Sequence, residues 1–317
     1  MGQAPLTPTG IQGGGMYVDV KLDTALNIGL FAFVLPVFTV MATSEYLHLH
    51  IPYSKFASED MIQELPGNAM RKAFQAQIAS RTGMFFIYIV PLLSYVILWA
   101  VYAGQNMARF GQVAPSPTYS ILLFVGWMMS FSKRVFEVLF VHIYSGTIPI
   151  ASSISISLGY SAAGLVTCVF ANQVVGYDVF GPQTVVKDVI CILFFLVGII
   201  VNFIAHYQLR LARLRPSEEG KPKRYMAPGE IGWLFKVFIC PHYVFEIIMF
   251  AAWCIFGATC VHYCVGVGVA GYLSGRTRST YKWYQSKGLI GSGAVSNENK
   301  ELSSTVIPST SPTKGDV

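Results

Sequence analysis

Long apolar runs with almost no charge alternate along this chain with short polar connections. The runs lie at roughly residues 25–43, 83–105, 118–132, 148–175, 186–206, 232–252 and 254–273, and most are near the ~20 residues that a helix needs to cross a bilayer. The third run is short and the last two nearly touch, which leaves a count of six to eight spans open. The pattern predicts an all-α fold, a polytopic membrane bundle of about seven transmembrane helices.

Polar segments flank the apolar part of the chain. The first residues mix Gly, Pro and Thr, and the residues after Gly288 are rich in Ser, Asn, Thr and Pro. We therefore expect a flexible amino-terminal segment over residues 1–24, a transmembrane domain over 25–287 and a disordered tail over 288–317.

Composition supports a membrane protein and excludes two other classes. Hydrophobic residues make up 53% of the chain and charged residues 12%, and the mean hydropathy is +0.52. An ordinary soluble domain is less apolar than this. The net charge of +6 is spread over the connections, so the chain has no soluble basic module for nucleic acid.

Basic clusters in the connections predict the orientation. Residues 210–224 contain six Lys or Arg and two Glu, and residues 276–287 contain four Lys or Arg and no acid. Both clusters belong on the cytosolic side of the membrane. With seven spans the carboxyl terminus is then cytosolic, and Lys133 and Arg134 lie on the cytosolic side as well.

One helix face at the end of an apolar run carries four polar residues. At 100° per residue, Asn202, His206, Arg210 and Arg213 fall within an arc of roughly 80°, while Arg215 falls on the opposite side. Such an amide, imidazole and guanidinium face fits the anionic end of a large ligand. Interfacial arginines that extend towards water are the structural alternative.

Two ionisable residues interrupt the apolar stretch after Arg134. Glu137 and His142 lie within a predicted apolar helix, where an unpaired charge costs a few kcal/mol. Arg134 can pair with Glu137 at i,i+3 spacing. His142 has no such local partner, so it is a candidate functional residue.

Two further polar stripes follow the basic connection. His242, Tyr243 and Glu246 share one side of a predicted helix within the membrane, where the carboxylate needs donors. A second stripe with four-residue spacing lies just past the last span and consists of Arg276, Thr280 and Tyr284.

Two patterns that suggest a nucleotide or metal site are better explained by packing. The stretch Gly266 to Gly271 spells GxGxxG, but it lacks the preceding strand and tight turn that the dinucleotide fingerprint needs. Close helix packing explains these glycines. In a helix, His262 points about 200° away from Cys260 and Cys264, so we predict no metal site.

Four motifs together resemble the membrane reductases that include steroid 5α-reductase and very-long-chain trans-2-enoyl-CoA reductase. They are the stretch Lys-Arg-x-x-Glu-x-Leu-Phe-Val-His-x-x-Ser-Gly-Thr-x-Pro from Lys133 to Pro149, the face from Asn202 to Arg213, Tyr225 ahead of a proline, and the His-Tyr-x-x-Glu motif ending at Glu246. The resemblance extends over about residues 131–284.

The resemblance implies NADPH-dependent reduction of a carbon–carbon double bond conjugated to a carbonyl, in a seven-helix bundle of the endoplasmic reticulum membrane. The residues that fall on the family's cofactor positions are Asn202, Arg213, Tyr225, Glu246, Arg276 and Tyr284. Three more of these positions carry a different residue type: His206 replaces an Asp, His242 an Asn and Thr280 a His. Arg210, on the same helix face as Arg213, completes the predicted cofactor site.

Reduction of a conjugated carbonyl compound places negative charge on the carbonyl oxygen, so the enzyme must offer a donor there. We predict Tyr243 as this donor, with a protonated Glu64 as the alternative, because the Gln-Glu-Leu-Pro motif resembles the steroid-reductase motif whose Glu binds the substrate ketone. His142 is a third catalytic candidate. The family's tyrosine just before Arg134 is replaced here by Phe131.

The Leu-Phe-Val-His-x-x-Ser-Gly-Thr-x-Pro pattern favours the enoyl-thioester branch. The predicted substrate is a lipid-like trans-2-enoyl-CoA of very-long-chain fatty acid elongation, with other elongation enzymes as partners, and a 3-oxo-4-ene steroid is the alternative. Two other classes are an S-adenosylmethionine-dependent membrane methyltransferase and a non-catalytic transporter. The transporter would use Glu137, His142 and Glu246 as an ion path.

Overall fold

The structure is a computed structural model that describes residues 25–44, 46, 67–108, 116–174, 176–216 and 226–290. Helices dominate these residues, which confirms the predicted all-α class. The predicted flexible segment 1–24 and nearly all of the predicted tail 288–317 lie outside them.

The described elements follow one another in this order: α1 (Ala25–Ser44), α2 (Asn68–Gln75), β1 (Gln77–Ala79), α3 (Ser80–Ala108), α4 (Pro117–Phe136), a π-helical turn (Glu137–Val141), β2 (Thr147–Pro149), α5 (Ile150–Ala171), α6 (Val185–Leu214), α7 (Pro228–Ile231), α8 (Trp233–Val237), α9 (Pro241–Gly257) and α10 (Cys260–Ser286). The two short strands pair antiparallel, with Ile78 opposite Ile148.

Three helices among the described residues are long and apolar enough to cross a membrane: Ser80–Gly104 within α3, Ile150–Ala171 and Val185–Leu214. Ala32–Thr43 and Pro241–Gly257 are shorter apolar helices. Large apolar side chains cover the outer face of α6, where Val186 is 69% exposed. Such a face is typical of contact with lipid. The chain is therefore a membrane protein, while the count of seven spans stays a prediction.

The apolar run predicted as one span over residues 232–252 is not a single helix, and this prediction is wrong. Helix α8 ends at Val237, and α9 begins only at Pro241. Cys240 is held outside the helical region with φ −133° and ψ 69°, because a following proline disfavours the helical conformation. Proline itself fits the first position of α9, where no hydrogen bond from its nitrogen is needed. His242 and Tyr243 consequently lie in the first turn of α9.

Glycines set two close contacts between helices. A Cβ placed on Gly271 of α10 would lie 2.6 Å from the Cβ of Ala42 on α1, and one placed on Gly268 would lie 2.6 Å from the ring of Phe38. These contacts confirm that the GxGxxG stretch packs one helix against another. On α6, a Cβ at Gly198 would lie 2.8 Å from the backbone nitrogen of Met249 on α9.

Aromatic rings fill the centre of the bundle. Trp127 on α4 is 1% exposed and stacks on Phe131 at 4.4 Å between ring centroids and on Tyr95 of α3 at 4.9 Å. Trp253 of α9 lies 5.5 Å from the same indole and donates its Nε1–H to the carbonyl of Leu123 at 3.1 Å. This aromatic layer joins α3, α4 and α9 next to the polar residues described below.

The Gly198→Ala variant is expected to lower the stability of the protein, because the new methyl group meets the rigid backbone of α9 rather than a movable side chain. Overpacking of this kind costs about 1–3 kcal/mol. Thermal unfolding of the purified protein in detergent measures the effect. Gly159→Ala on α5 is the matched control, since no atom lies within 4 Å of its added Cβ. Equal unfolding midpoints for the two variants would contradict the close α6–α9 contact.

Candidate active site

The candidate site is built around an irregular turn that follows α4. His142 donates its backbone N–H to the carbonyl of Glu137 at 2.7 Å, the five-residue spacing of a π turn. Such turns are frequent at functional sites. His142 itself has an extended conformation with φ −75° and ψ 137°. The prediction that His142 lies within a helix is therefore wrong, because the chain leaves α4 here to reach β2.

A fully buried carboxylate lies at the start of this turn. Glu137 has no exposed surface, and its two oxygens pair with Lys133 Nζ at 3.0 Å and with Arg134 Nη1 at 3.1 Å. The predicted Arg134–Glu137 pair is confirmed, and Lys133 is a second partner. A buried carboxylate is costly unless it is paired and hydrogen-bonded, so both cations are held at this place.

Helix α6 places its polar face against these cations. Asn202 is 1% exposed, accepts a hydrogen bond from Lys133 through Oδ1 and donates one from Nδ2 to the carbonyl of His242 at 2.6 Å. His206 is also buried, and its Nε2 lies 2.5 Å from Arg134 Nη1. The inner half of the predicted face therefore joins the end of α4 to the start of α9.

The outer half of the same face contacts the π turn and the chain after it. Arg210 Nη1 donates to the carbonyl oxygens of Phe140 at 2.5 Å and Val141 at 2.9 Å. Arg213, which is exposed, donates to the carbonyl of Ile143. The irregular turn leaves these carbonyls outside a regular helical ladder, and the two guanidinium groups satisfy them.

Three imidazole rings lie side by side at the centre of the site. The ring of His206 is 4.7 Å from that of His142 and 5.3 Å from that of His242. Burial, together with the charges of Arg134, Arg213 and Lys133, lowers the pKa of His142 to about 3. His142 is therefore neutral at physiological pH.

The same region offers ligand atoms for a metal ion, although its charges oppose one. Glu137, His142 and His206 can each bring one ligand atom within 4.8 Å of the others. The guanidinium of Arg134 contacts both Glu137 and His206. A permanently charged guanidinium in this position repels a second cation, so the charge around these residues opposes a metal ion.

Glu246 on α9 completes the inner part of the site. Its side chain is buried, and its Oε2 lies 3.8 Å from Arg134 Nη2. Within the described part of the chain this oxygen has no hydrogen-bond partner. Arg134 thus links Glu137 of the π turn to Glu246 of α9.

The stripe on α10 faces the protein interior. Arg276, Thr280 and Tyr284 are 1%, 3% and 9% exposed. Burial raises the pKa of Tyr284 to about 12, and the charge of Arg213 partly opposes that rise. The α10 stripe therefore lies within electrostatic reach of the α6 face, as the predicted cofactor site requires.

A small cavity adjoins Arg134, where helices α3 to α6 and α9 meet. The side chains that line it are Tyr88, Ser130, Phe131, Arg134, Tyr160, Asn202, Glu246, Met249 and Phe250. Asn202 and Glu246 belong to the predicted cofactor residues. The cavity has a charged side formed by Arg134 and Glu246 and an aromatic side formed by α3, α4 and α5.

Two tyrosines of this cavity were not predicted from the sequence. Tyr88 and Tyr160 lie in apolar runs with no motif around them, and an aromatic residue there signals only packing. Tyr243, the predicted donor, is not among the lining residues, and its ring packs against His242 at 4.2 Å. The predicted residues Glu64 and Tyr225 lie outside the described residues.

The fold and site define a class: an all-α membrane protein with a buried group of cations and histidines beside an aromatic cavity. Residues 147–288 match the family described as 3-oxo-5-alpha-steroid 4-dehydrogenase. It is also 26% identical over 162 residues to a very-long-chain enoyl-CoA reductase from Dictyostelium discoideum. This match covers 51% of the chain and 49% of the relative, so the chain matches about half the length of that relative.

Replacing Glu137 by Gln is expected to lower stability strongly, because two buried cations would lose their shared anion. Breaking a buried pair by removing one partner costs about 3–5 kcal/mol. The control is Glu230→Gln, which changes an exposed carboxylate on α7. Chemical or thermal unfolding in detergent should separate the two variants, and similar midpoints would show that Glu137 is not the anion that stabilises this turn.

Proposed function

We propose that this protein is an NADPH-dependent membrane reductase of a carbon–carbon double bond conjugated to a carbonyl, and that its substrate is a trans-2-enoyl-CoA. The observation that carries the proposal is the convergence of Asn202 and His206 from α6 with Glu246 from α9 around Arg134, beside a small cavity lined in part by aromatic side chains. In the resemblance described above, these residues of α6 and α9 fall on positions that hold the cofactor, and the fold brings them together although they are far apart in the sequence.

The residues present fit a nicotinamide nucleotide. Glu246 Oε2 and His206 Nδ1 are buried without a hydrogen-bond partner in the described part of the chain, and a carboxamide offers both a donor and an acceptor for such atoms. Arg210 and Arg213 at the outer end of the α6 face suit phosphate groups through charge-assisted hydrogen bonds. When bound, NADPH supplies the hydride.

The protein's own residues orient the two ligands and control the local charge. The charged side of the cavity would hold the nicotinamide end through Asn202 and Glu246, and the aromatic side would hold the conjugated part of the substrate. Burial of the site keeps water away, which strengthens each hydrogen bond to a developing negative charge. The acyl chain would extend between helices into the apolar bundle.

The enoyl thioester is preferred because the matching relative is named a very-long-chain enoyl-CoA reductase. A 3-oxo-4-ene steroid is the second candidate, favoured by the description of the matching family. If the substrate is an enoyl thioester, the protein would act in the endoplasmic reticulum membrane beside other enzymes of fatty acid elongation, with its carboxyl terminus in the cytosol.

The geometry argues against the other two classes. An ion path needs acidic groups that exchange partners, whereas Glu137 is fixed by two direct cationic contacts. A methyltransferase would bind S-adenosylmethionine, a cation at its sulfur, beside a group of permanently charged guanidinium side chains. A nucleotide with phosphates complements that charge better.

The function is tested by purifying the full chain and following NADPH oxidation with an enoyl-CoA and a 3-oxo-4-ene steroid side by side. We expect oxidation with the enoyl-CoA and reduced acyl-CoA as the product by mass spectrometry. S-adenosylmethionine binding is measured in parallel. Oxidation with the steroid alone would favour the second candidate, and binding of S-adenosylmethionine without any NADPH oxidation would contradict the proposal.

Arg213→Ala is expected to raise the KM for NADPH about 10- to 100-fold with little change in kcat, because a charge-assisted hydrogen bond to phosphate contributes about 1.5–3 kcal/mol. Arg215→Ala is the matched control. Arg215 is also exposed and cationic, but it follows the last residue of α6 and donates to the carbonyl of Glu230 at 2.7 Å. Equal KM values for the two variants would exclude Arg213 from phosphate binding.

A further inference from the structure

The aromatic side of the cavity has one hydroxyl group tied directly to the charged side. Tyr88 on α3 is 5% exposed, and its phenol oxygen accepts a hydrogen bond of 2.7 Å from Arg134 Nη2. The guanidinium carbon of Arg134 also lies 4.8 Å from the centre of the Tyr88 ring. The phenol is therefore held against the same side chain that contacts Glu137, His206 and Glu246.

From this arrangement we propose that Tyr88 is the catalytic donor to the carbonyl oxygen of the substrate. The inference rests on the proposed reductase function and deepens it by naming a residue of the same site. It assigns the role to α3, a helix that contributes none of the predicted site residues.

The direction of the hydrogen bond supports this role. Arg134 donates to the Tyr88 oxygen, and a phenol oxygen that accepts a hydrogen bond can also donate one through its O–H. A donor that is polarised in this way and shielded from water stabilises a developing oxyanion more strongly than an exposed hydroxyl does.

Packing around Tyr88 fixes the ring in place. The ring lies 6.4 Å from that of Phe131 and 6.1 Å from that of Tyr160, and both neighbours line the same cavity. The Phe131 side chain has no hydrogen-bonding group, so it cannot serve as the donor. The bond to Arg134 and the two aromatic neighbours orient the hydroxyl without any help from the substrate.

The reaction balances with groups that the proposal names. The hydride supplied by NADPH adds to the β carbon, and the π electrons of the double bond move onto the carbonyl oxygen as an enolate. Tyr88 donates its hydrogen bond to that oxygen and keeps its proton overall. A solvent proton then adds to the α carbon, so the overall reaction consumes NADPH and one H⁺, the product has two new C–H bonds and the phenol is unchanged.

The test compares Tyr88→Phe with Tyr95→Phe and Tyr243→Phe in the purified full chain. Tyr88→Phe removes one hydroxyl and keeps the ring contacts. Tyr95 lies two turns further along α3, is 1% exposed and stacks on Trp127, outside the cavity lining. Tyr243→Phe examines the donor predicted from the sequence. Turnover of the enoyl-CoA and NADPH binding by fluorescence are measured for each variant.

We expect Tyr88→Phe to lower kcat about 100- to 1000-fold, with the dissociation constant for NADPH within about twofold of wild type, and Tyr95→Phe to keep most of the wild-type kcat. A Tyr88→Phe enzyme with at least half of the wild-type kcat would overturn the inference, as would a loss of turnover confined to Tyr243→Phe. If the wild-type protein oxidises NADPH with neither the enoyl-CoA nor the steroid, the proposed function fails together with the inference.

A second measurement separates a donor from a residue that only positions Arg134. Incorporation of 3,5-difluorotyrosine at position 88 preserves the shape of the ring and lowers the pKa of its phenol. We expect the alkaline limb of the kcat against pH profile to move to lower pH, because an ionised phenol cannot donate. The same replacement at position 95 should leave the profile unchanged. An unmoved alkaline limb at position 88 would overturn the inference even if Tyr88→Phe does not fold.

Discussion

The buried carboxylate of Glu137 is the constraint on which the rest of the site depends. It has no exposed surface, so it must be neutralised within the protein, and Lys133 and Arg134 do this from the preceding turn of α4. Each cation then contacts another helix: Lys133 reaches Asn202 on α6, and Arg134 reaches Tyr88 on α3. One buried charge thereby sets the relative positions of several helices around a common centre.

The π turn extends the same arrangement to the arginines of α6. Its irregular backbone provides carbonyl oxygens to Arg210, and the following chain provides one to Arg213. In the proposed complex, phosphate oxygens would compete for these guanidinium groups. Exchange between two sets of oxygen acceptors keeps both guanidinium groups hydrogen-bonded with and without the nucleotide, so neither state leaves these charges unpaired.

A second buried carboxylate, on α6 ahead of its apolar run, shows what a purely structural ion pair looks like in this fold. Asp188 accepts from the Tyr177 hydroxyl at 2.6 Å and from the Phe180 N–H at 3.1 Å, and it lies 3.4 Å from Lys187 Nζ. Burial raises the pKa of Tyr177, so its phenol stays protonated and keeps donating. Both Asp188 oxygens therefore have partners. Glu246 lies beside the cavity, and within the described part of the chain one of its oxygens has no hydrogen-bond partner. A cluster that only stabilises the fold satisfies both carboxylate oxygens, whereas the second Glu246 oxygen can still accept a hydrogen bond from a ligand.

Sequence spacing by itself determined the features that depend on neighbours within a few turns: the apolar helices, the Arg134–Glu137 pair and the shared face of Asn202, His206, Arg210 and Arg213. Only the tertiary structure decided the break before Pro241, the π turn, and the meeting of Tyr88 with Arg134, 46 residues apart in the chain. Contacts at such separations depend on how whole helices pack, and helix periodicity carries no information about which helices become neighbours. For this reason the polar face of α6 was visible in the sequence, while the Tyr88 hydroxyl proposed as the donor was not.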